Sequence, residues 1–318
     1  MASERASRPA VRYRLELGLA RAVSGFVSLL PMPVARACGG ALGRAVYFVD
    51  GFHRRIALTN LAQAFPARSE PERRTIARAM FVHFGRLLLE LIKFGTLSNA
   101  QMLARIESEG EDRVIQAYQQ GRGVLFFTGH FGYWEMQAIA QPLRVRPVSV
   151  LARPLDNPYL HAMLERIRTR TGNSVIYRQG AIRKVMRELA ANRGVALLID
   201  QHLHTSDAVY VDFFHRPAAT TSALAALAIR TGAPVIPVFA LPLPRGRYRF
   251  VYERPVPPPR EDSPDAVREF TQRCTDVLEM YVRRDPELWL WMHRRWRDRD
   301  PALADEVDGT DGAGSPYE

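Results

Sequence analysis

The feature that most constrains this chain is a change of grammar after Gly123. From there on, short apolar runs alternate with amphipathic helical stretches, which is the pattern of a sheet with helical crossovers. Residues 124–128, 148–152, 175–177, 195–199 and 235–241 read as strands, and 132–141, 158–171, 181–192 and 221–231 as the helices between them. A further strand at 247–253 is expected at a sheet edge, and 263–284 returns to helix. Before the change, residues 13–94 carry apolar positions at helical spacing, broken at Pro31, Pro33, Asp50-Gly51 and Pro66. Ser69-Glu70-Pro71-Glu72 has the form of a capping box, and the helix it opens bears Ile76, Met80, Phe81, Phe84, Leu87, Leu88, Leu91 and Ile92 on a wide apolar face. The expected fold is α/β: a mixed, mostly parallel central sheet flanked by helices, with a helical N-terminal layer that contacts a membrane. Three regions follow: a helical membrane-associating part at 1–95, an α/β core ending in a Trp/Arg-rich helix at 96–299, and a disordered acidic, Gly-rich tail at 300–318.

The 318 residues are 47% hydrophobic, enough for a substantial core, and 44 Lys and Arg against 33 Asp and Glu leave a formal charge of +11. Such a balance attracts nucleic acid, anionic lipid or an acidic protein, and charge alone does not choose among them. The basic residues are spread along the chain and no nucleic-acid reading motif is found, so nucleic acid is not an expected partner. Cys38 and Cys274 stand far apart in unlike contexts, which suggests neither zinc nor a disulfide framework and fits a reducing compartment. Glu16, Arg21, Arg36 and Arg44 interrupt every N-terminal window of about 20 residues that could span a bilayer, and no secretory signal is read there.

The sharpest local signal is Phe126-Phe127-Thr128-Gly129-His130-Phe131-Gly132-Tyr133-Trp134-Glu135. A buried-type strand ends in a glycine-flanked histidine, the place where ligands gather in open α/β sheets. Five positions on a continuous helix set two side chains about 140° apart. A shared site therefore needs His130 on the turn and Glu135 in the first helical turn, which the glycines allow. Histidine can then act as general base, with Glu135 fixing its tautomer. Spacing alone also admits a structural histidine beside an unrelated surface glutamate. Arg153 and Asp200 both follow strands. Arg153 could hold a phosphate or other acidic group, or sit in a surface ion pair, and Asp200 could orient Arg153 or a substrate hydroxyl, or end a strand in an ordinary turn. Asp200, His202, His204 and Asp207 could be taken for a metal cluster but read better as a solvated loop, and no metal is expected. His161 and His293 read as packed or surface residues. Trp289, Trp291 and Trp296 with Arg294, Arg295, Arg297 and Arg299 suit either a membrane interface or a packed terminal helix with a solvated basic end.

Several ordered segments together resemble the lipid A late acyltransferases, the lauroyl and myristoyl transferases of the wider lysophospholipid acyltransferase superfamily. His130 through Glu135 matches the superfamily's His, four residues, acidic motif in its Gly-His-Phe-Gly-x-Trp-Glu form. Arg153-Pro154-Leu155-Asp156-Asn157-Pro158, Asp200-Gln201, the block Asp212 through Thr220 and the ending Pro286 through Trp296 are similar to the blocks that follow, so the resemblance covers about residues 40–299. His215 stands where a glycine is common, and the N-terminal anchor is less apolar than in a single-span member. The Phe-Pro-Glu-Gly block of glycerophosphate acyltransferases is not found. The resemblance implies transfer of a fatty acyl chain from acidic acyl carrier protein to a hydroxyl of a lipid A precursor, with no covalent enzyme intermediate and no cofactor. His130 and Glu135 would be catalytic, and Arg153, Asp200, Asn157 and Arg216 would bind substrate. The place implied is the cytoplasmic face of the bacterial inner membrane, peripheral or shallowly inserted; a monomer is expected. Alternatives are an acyltransferase for another glycolipid such as a phosphatidylinositol mannoside, for a lysophospholipid or for an ornithine lipid, and a non-enzymatic basic protein that binds membrane or nucleic acid.

Overall fold

The computed structural model describes residues 2–177, 180–203, 208–259 and 261–296, with side chains from residue 11 onward. The helices α1 (Ala2–Leu29), α2 (Met32–Val49), α3 (Gly51–Ala64), α4 (Glu70–Phe94) and α5 (Asn99–Leu103) come first. Next are β1 (Ile106–Glu109), α6 (Glu111–Gln119), β2 (Val124–Thr128), α7 (Trp134–Arg144), β3 (Val148–Ala152), α8 (Pro158–Thr169), β4 (Ser174–Tyr177), α9 (Ala181–Ala190) and β5 (Gly194–Leu198). After them come β6 (Ala208–Asp212), β7 (Pro217–Thr221), α10 (Ala223–Thr231), β8 (Val235–Leu243), β9 (Arg247–Tyr252) and α11 (Pro264–Arg284).

Among the described residues the main sheet has seven strands in the order β1-β9-β8-β2-β5-β3-β4. β8, β2, β5, β3 and β4 run parallel, and β9 with β1 runs the other way. A strand covered on both faces reads as a continuous apolar run, and β2 is buried at all five positions. Its alternate side chains feed two cores. Leu125 and Phe127 join α3, α4, α9, α10 and α11 on one face, while Val124 and Phe126 join α6 and α7 on the other. The N-terminal helices are part of this packing, since Ala77, Met80 and Phe81 of α4 lie in the first core.

α2 crosses α4 at backbone contact. A Cβ on Gly43 would stand 2.0 Å from the carbonyl oxygen of Phe81, and one on Gly85 would stand 2.3 Å from that of Gly39, so side chains are excluded at the crossing. α4 begins as expected, with the Ser69 backbone N–H donating to Glu72 Oε2 at 2.7 Å. α1 is held more lightly. Val23, Val27 and Leu30 pack on Leu89 and Ile92 of α4 and on Ala35. Its outward residues Val11, Leu15, Leu19, Phe26 and Leu29 are exposed, as are Val34, Leu42, Val46, Phe48, Val49 and Phe52 of the following helices. None of the described helices is long and apolar enough to cross a membrane.

Two expectations need correction, and the strands β1, β6 and β7 are not among those expected. β9 is not at the edge, because β1 pairs along its outer side from Ile106↔Tyr248 to Glu109↔Val251. The β1 sequence Ile-Glu-Ser-Glu is too short and polar to read as a strand. β6 and β7 form an antiparallel hairpin outside the main sheet, built largely from small residues. The Trp/Arg-rich ending is no helix. After a 3-10 turn at Pro286–Leu288 it bridges Phe131 at Trp289 and continues through tight turns to Trp296, a path that brings both Trp289 and Trp291 into the core. Arg297, Arg299 and the tail expected to be disordered lie outside the described residues.

Candidate active site

β2 is the central strand, and its carboxyl end delivers Gly129 and His130 to the rim of the sheet. The following turn is fixed by the backbone. Gly132 adopts φ +61°, and a Cβ there would lie 2.1 Å from the carbonyl oxygen of Ala240, so only glycine fits. The Gly132 N–H donates to Leu288 O and the Tyr133 N–H to Ala240 O, each at 2.9 Å. α4 braces the same turn: His83 Nε2 meets the Gly132 carbonyl at 3.1 Å, and the Tyr133 hydroxyl donates to buried Glu90 at 2.9 Å. Glu90 also accepts from the Tyr248 hydroxyl and pairs with Arg36 at 3.1 Å. This turn delays α7 to Trp134, two residues beyond the expected start.

The carboxylate that meets the His130 ring is Asp200, from the end of the neighbouring strand β5, and not Glu135. His130 Nδ1–H donates to Asp200 Oδ1 at 2.9 Å, and the His130 backbone N–H donates to Oδ2 at 2.7 Å. Trp289 Nε1 donates to the same Oδ2 at 2.8 Å. Gly129 is small for this reason, since a Cβ would stand 2.9 Å from Oδ2. Burial pushes the Asp200 carboxyl up, but the charge and hydrogen bonds of His130 outweigh it and hold the group well below the usual carboxylate range. For His130, burial disfavours the charged ring, yet the charge and hydrogen bond of Asp200, with a smaller effect of Glu135, leave its pKa above the ordinary 6.5. His130 Nε2 makes no hydrogen bond with the described residues, and the side chain keeps 15% exposure.

Glu135 does stand in the first turn of α7, but it is held from the other side. Arg168 of α8 donates Nε–H to Glu135 Oε2 at 2.9 Å and Nη2–H to Oε1, a bidentate and largely buried pair that ties α8 to α7. Arg153 follows β3, is about half exposed and has Asp156 at 3.9 Å. Asn157 is a helix cap: its Oδ1 accepts from the Tyr159 and Leu160 N–H groups at 2.9 and 3.3 Å, and its Nδ2 donates to Tyr13 O and Glu16 of α1. Arg216 lies in the β6–β7 turn, where its backbone exchanges bonds with Phe213, and no bond links it to His130 or Asp200. Of the expected set, the structure thus joins His130 with Asp200 and leaves Arg153, Asn157 and Arg216 apart.

Two residues behind the pair were read from the sequence as packing or rim groups. His293 sits between the Leu290 carbonyl, 2.7 Å from Nδ1, and the Asp200 carbonyl, 3.1 Å from Nε2. Burial lowers its pKa to about 4, so it is neutral near pH 7 and its single N–H serves one of the two. Arg295, expected at a membrane interface or on a solvated basic end, is 1% exposed and donates to Ala219 O at 2.6 Å and Thr220 Oγ1 at 2.5 Å. Trp289, Trp291 and Trp296 are buried with it, which removes them from any membrane interface. Among the described residues no group of three or more His, Cys, Asp or Glu is placed to hold a metal ion; His204 and Asp207 lie outside those residues.

A covered, mostly parallel sheet with a carboxylate-held histidine at a strand's carboxyl end defines an α/β protein equipped for general-base chemistry. The chain belongs to the family described as bacterial lipid A biosynthesis acyltransferase, whose model matches residues 8–298, and it is an acyltransferase. It is 26% identical over 272 residues to the lipid A biosynthesis lauroyltransferase of Escherichia coli strain K12, covering 85% of this chain and 87% of that one. To the lipid A biosynthesis myristoyltransferase of the same organism it is 24% identical over 262 residues, covering 82% and 80%. A phosphatidylinositol mannoside acyltransferase of Mycolicibacterium smegmatis is 24% identical over 225 residues, covering 70% and 72%. Among solved structures, a 1-acyl-sn-glycerophosphate acyltransferase from Thermotoga maritima aligns over 80% of this chain and 96% of that one, at a TM-score of 0.37 and 18% identity.

Proposed function

We propose that the chain transfers a fatty acyl group from acyl carrier protein to a hydroxyl of a lipid A precursor, with His130 as general base and Asp200 as the group that orients it. The observation that carries this is the His130 Nδ1–Asp200 bond at 2.9 Å, which leaves Nε2 as the accepting nitrogen at the sheet rim. In the reaction, the acceptor hydroxyl oxygen attacks the thioester carbonyl while Nε2 takes the hydroxyl proton. The tetrahedral adduct then expels the thiolate, which regains that proton from the imidazolium and leaves as thiol. Asp200 fixes the Nε2-basic tautomer and stabilises the imidazolium formed on the way. Glu135, locked by Arg168, adds negative charge near the ring and positions α7 against α8.

The names of the lauroyl and myristoyl relatives support lipid A as the acceptor class, and the mannoside acyltransferase keeps a second glycolipid in view. The exposed apolar stripe of α1, flanked by Arg12 and Arg21, suits peripheral attachment to an anionic membrane. The test is a panel of acceptors with labelled acyl carrier protein as donor: a tetra-acylated lipid A precursor, a phosphatidylinositol mannoside and a lysophospholipid. The proposal expects label in the lipid A precursor. Label only in another acceptor would refute the substrate while sparing the mechanism.

A further inference from the structure

The β8–β9 hairpin carries a basic cavity that plays no part in the chemistry above. It measures about 380 Å³, within the roughly 300–1,000 Å³ of small-molecule sites, and is lined by Glu107, Leu243, Pro244, Arg245, Arg247 and Arg249. Period-two alternation puts Arg247 and Arg249 on the open face of β9, while Tyr248 and Phe250 fill the core behind it. Glu107 of β1 pairs with both arginines, at 2.5 Å to Arg247 and 3.4 Å to Arg249. One carboxylate thus faces three guanidinium groups, and two positive charges stay uncompensated. Arg245 makes no hydrogen bond or ion pair with the described residues. It holds a left-handed backbone, φ +61° and ψ +27°, where glycine or asparagine would be relaxed and arginine is rare. The hairpin tip therefore keeps an unpaired cation at a position that disfavours one.

The surroundings indicate what the cavity meets. β8 is in register with β2 at Phe127↔Pro237 and continues to Leu243, three residues past the level of His130, so the cavity lies about 10 Å beyond the His130 end of the sheet. Met32 packs directly on Gly246, which joins the hairpin tip to the start of α2, and Leu29 and Val34 on either side are exposed. A small concave cationic cavity beside exposed apolar side chains matches a compact anion attached to hydrocarbon. A folded acidic protein would present a broad surface to a broad patch, with no need of a cavity.

We propose that Arg245, Arg247 and Arg249 form a binding site for the phosphate of an anionic lipid, separate from the catalytic pair. The site would hold the chain on the bilayer with its His130 end towards the lipid. The proposal concerns binding and stands whichever acceptor is acylated.

The experiment measures partition of the full chain onto phosphatidylcholine vesicles with and without phosphatidic acid. Each arginine near an anionic surface contributes roughly fivefold, so Arg245→Gln with Arg247→Gln should weaken binding to the acidic vesicles by about 25-fold. Arg74→Gln with Arg268→Gln, an equal charge change at exposed helix positions, should change it less than threefold. Arg245→Lys with Arg247→Lys keeps the charge but loses the planar fork, and should still weaken binding at least fivefold. Equal losses in the pocket and control pairs, or full binding by the lysine pair, would reduce the effect to diffuse attraction and overturn the site. Inorganic phosphate should compete in the millimolar range. If phosphate or acidic carrier protein bound at the three arginines while vesicle binding ignored their substitution, the lipid assignment would be wrong. Because Arg245 makes no bond, Arg245→Gln alone folds and carries the comparison should the double variant fail.

Discussion

Asp200→Asn isolates the charge behind the proposed base, because it keeps the shape of the side chain. At 2.9 Å and an effective dielectric of about 20, carboxylate and imidazolium attract by about 6 kcal/mol, an upper bound on what the pair gives a transition state with a charged ring. The substitution also changes the tautomer. Asp200 accepts three N–H groups, from the His130 backbone, the His130 ring and Trp289. An asparagine oxygen can keep the backbone and Trp289 bonds at the Oδ2 position, which turns its NH2 towards His130 Nδ1. Nδ1 must then be the acceptor and Nε2 carries the proton, so the nitrogen meant to take the hydroxyl proton is blocked. We expect kcat to fall by about 10²–10⁴, roughly 3–5 kcal/mol. The assay is the initial rate of acyl transfer, with a thermal melt to confirm the fold. A folded variant within tenfold of the parent would refute the reasoning.

Glu135→Gln alone should lose activity and stability together, because removing one partner of a buried pair costs about 3–5 kcal/mol. Adding Arg168→Met should recover most of the melting temperature and part of the rate, a rescue not available to Asp200→Asn; failure of the double variant to gain stability would contradict the assigned pairing. A neutral His130 is required, and its pKa is raised, so kcat/KM should climb with pH through an inflection above 6.5 that moves down in Asp200→Asn. The buried His83 and His293 have pKa values lowered to about 4, so the unfolded chain takes up protons first as pH falls from 6.5. Melting temperature should therefore drop between pH 6.5 and 4, less steeply in His83→Gln. Gly85→Ala sets a methyl 2.3 Å from a backbone oxygen and should cost about 1–3 kcal/mol of stability by denaturant titration. Leu15 and Leu19 are 70% and 68% exposed, and replacing both by Ser should weaken vesicle binding on the order of 100-fold while leaving the fold intact.

The parallel strands were legible because burial on both faces leaves an uninterrupted apolar run, as in Val124-Leu125-Phe126-Phe127. β1 was not legible, since Glu107 and Glu109 give a strand with no apolar signature. His130 could be found from its glycines and its place after a strand. Its partner could not, because Glu135 is near in sequence whereas Asp200 becomes near only through the pairing of β2 with β5. The signal available was that both residues follow adjacent buried strands. Arg295 misled for a related reason: a basic string suits an interface or a solvated end, and only the tertiary structure brings Thr220 and the Ala219 carbonyl to the guanidinium, whereas the tryptophans took the packed one of their two readings.

The most direct measurement compares acyl transfer to the lipid A precursor by the parent chain and by His130→Ala, both shown folded by their melts. The account predicts a loss of at least about 10² in rate with little change in vesicle binding. Transfer by His130→Ala within tenfold of the parent would contradict it and move the base elsewhere.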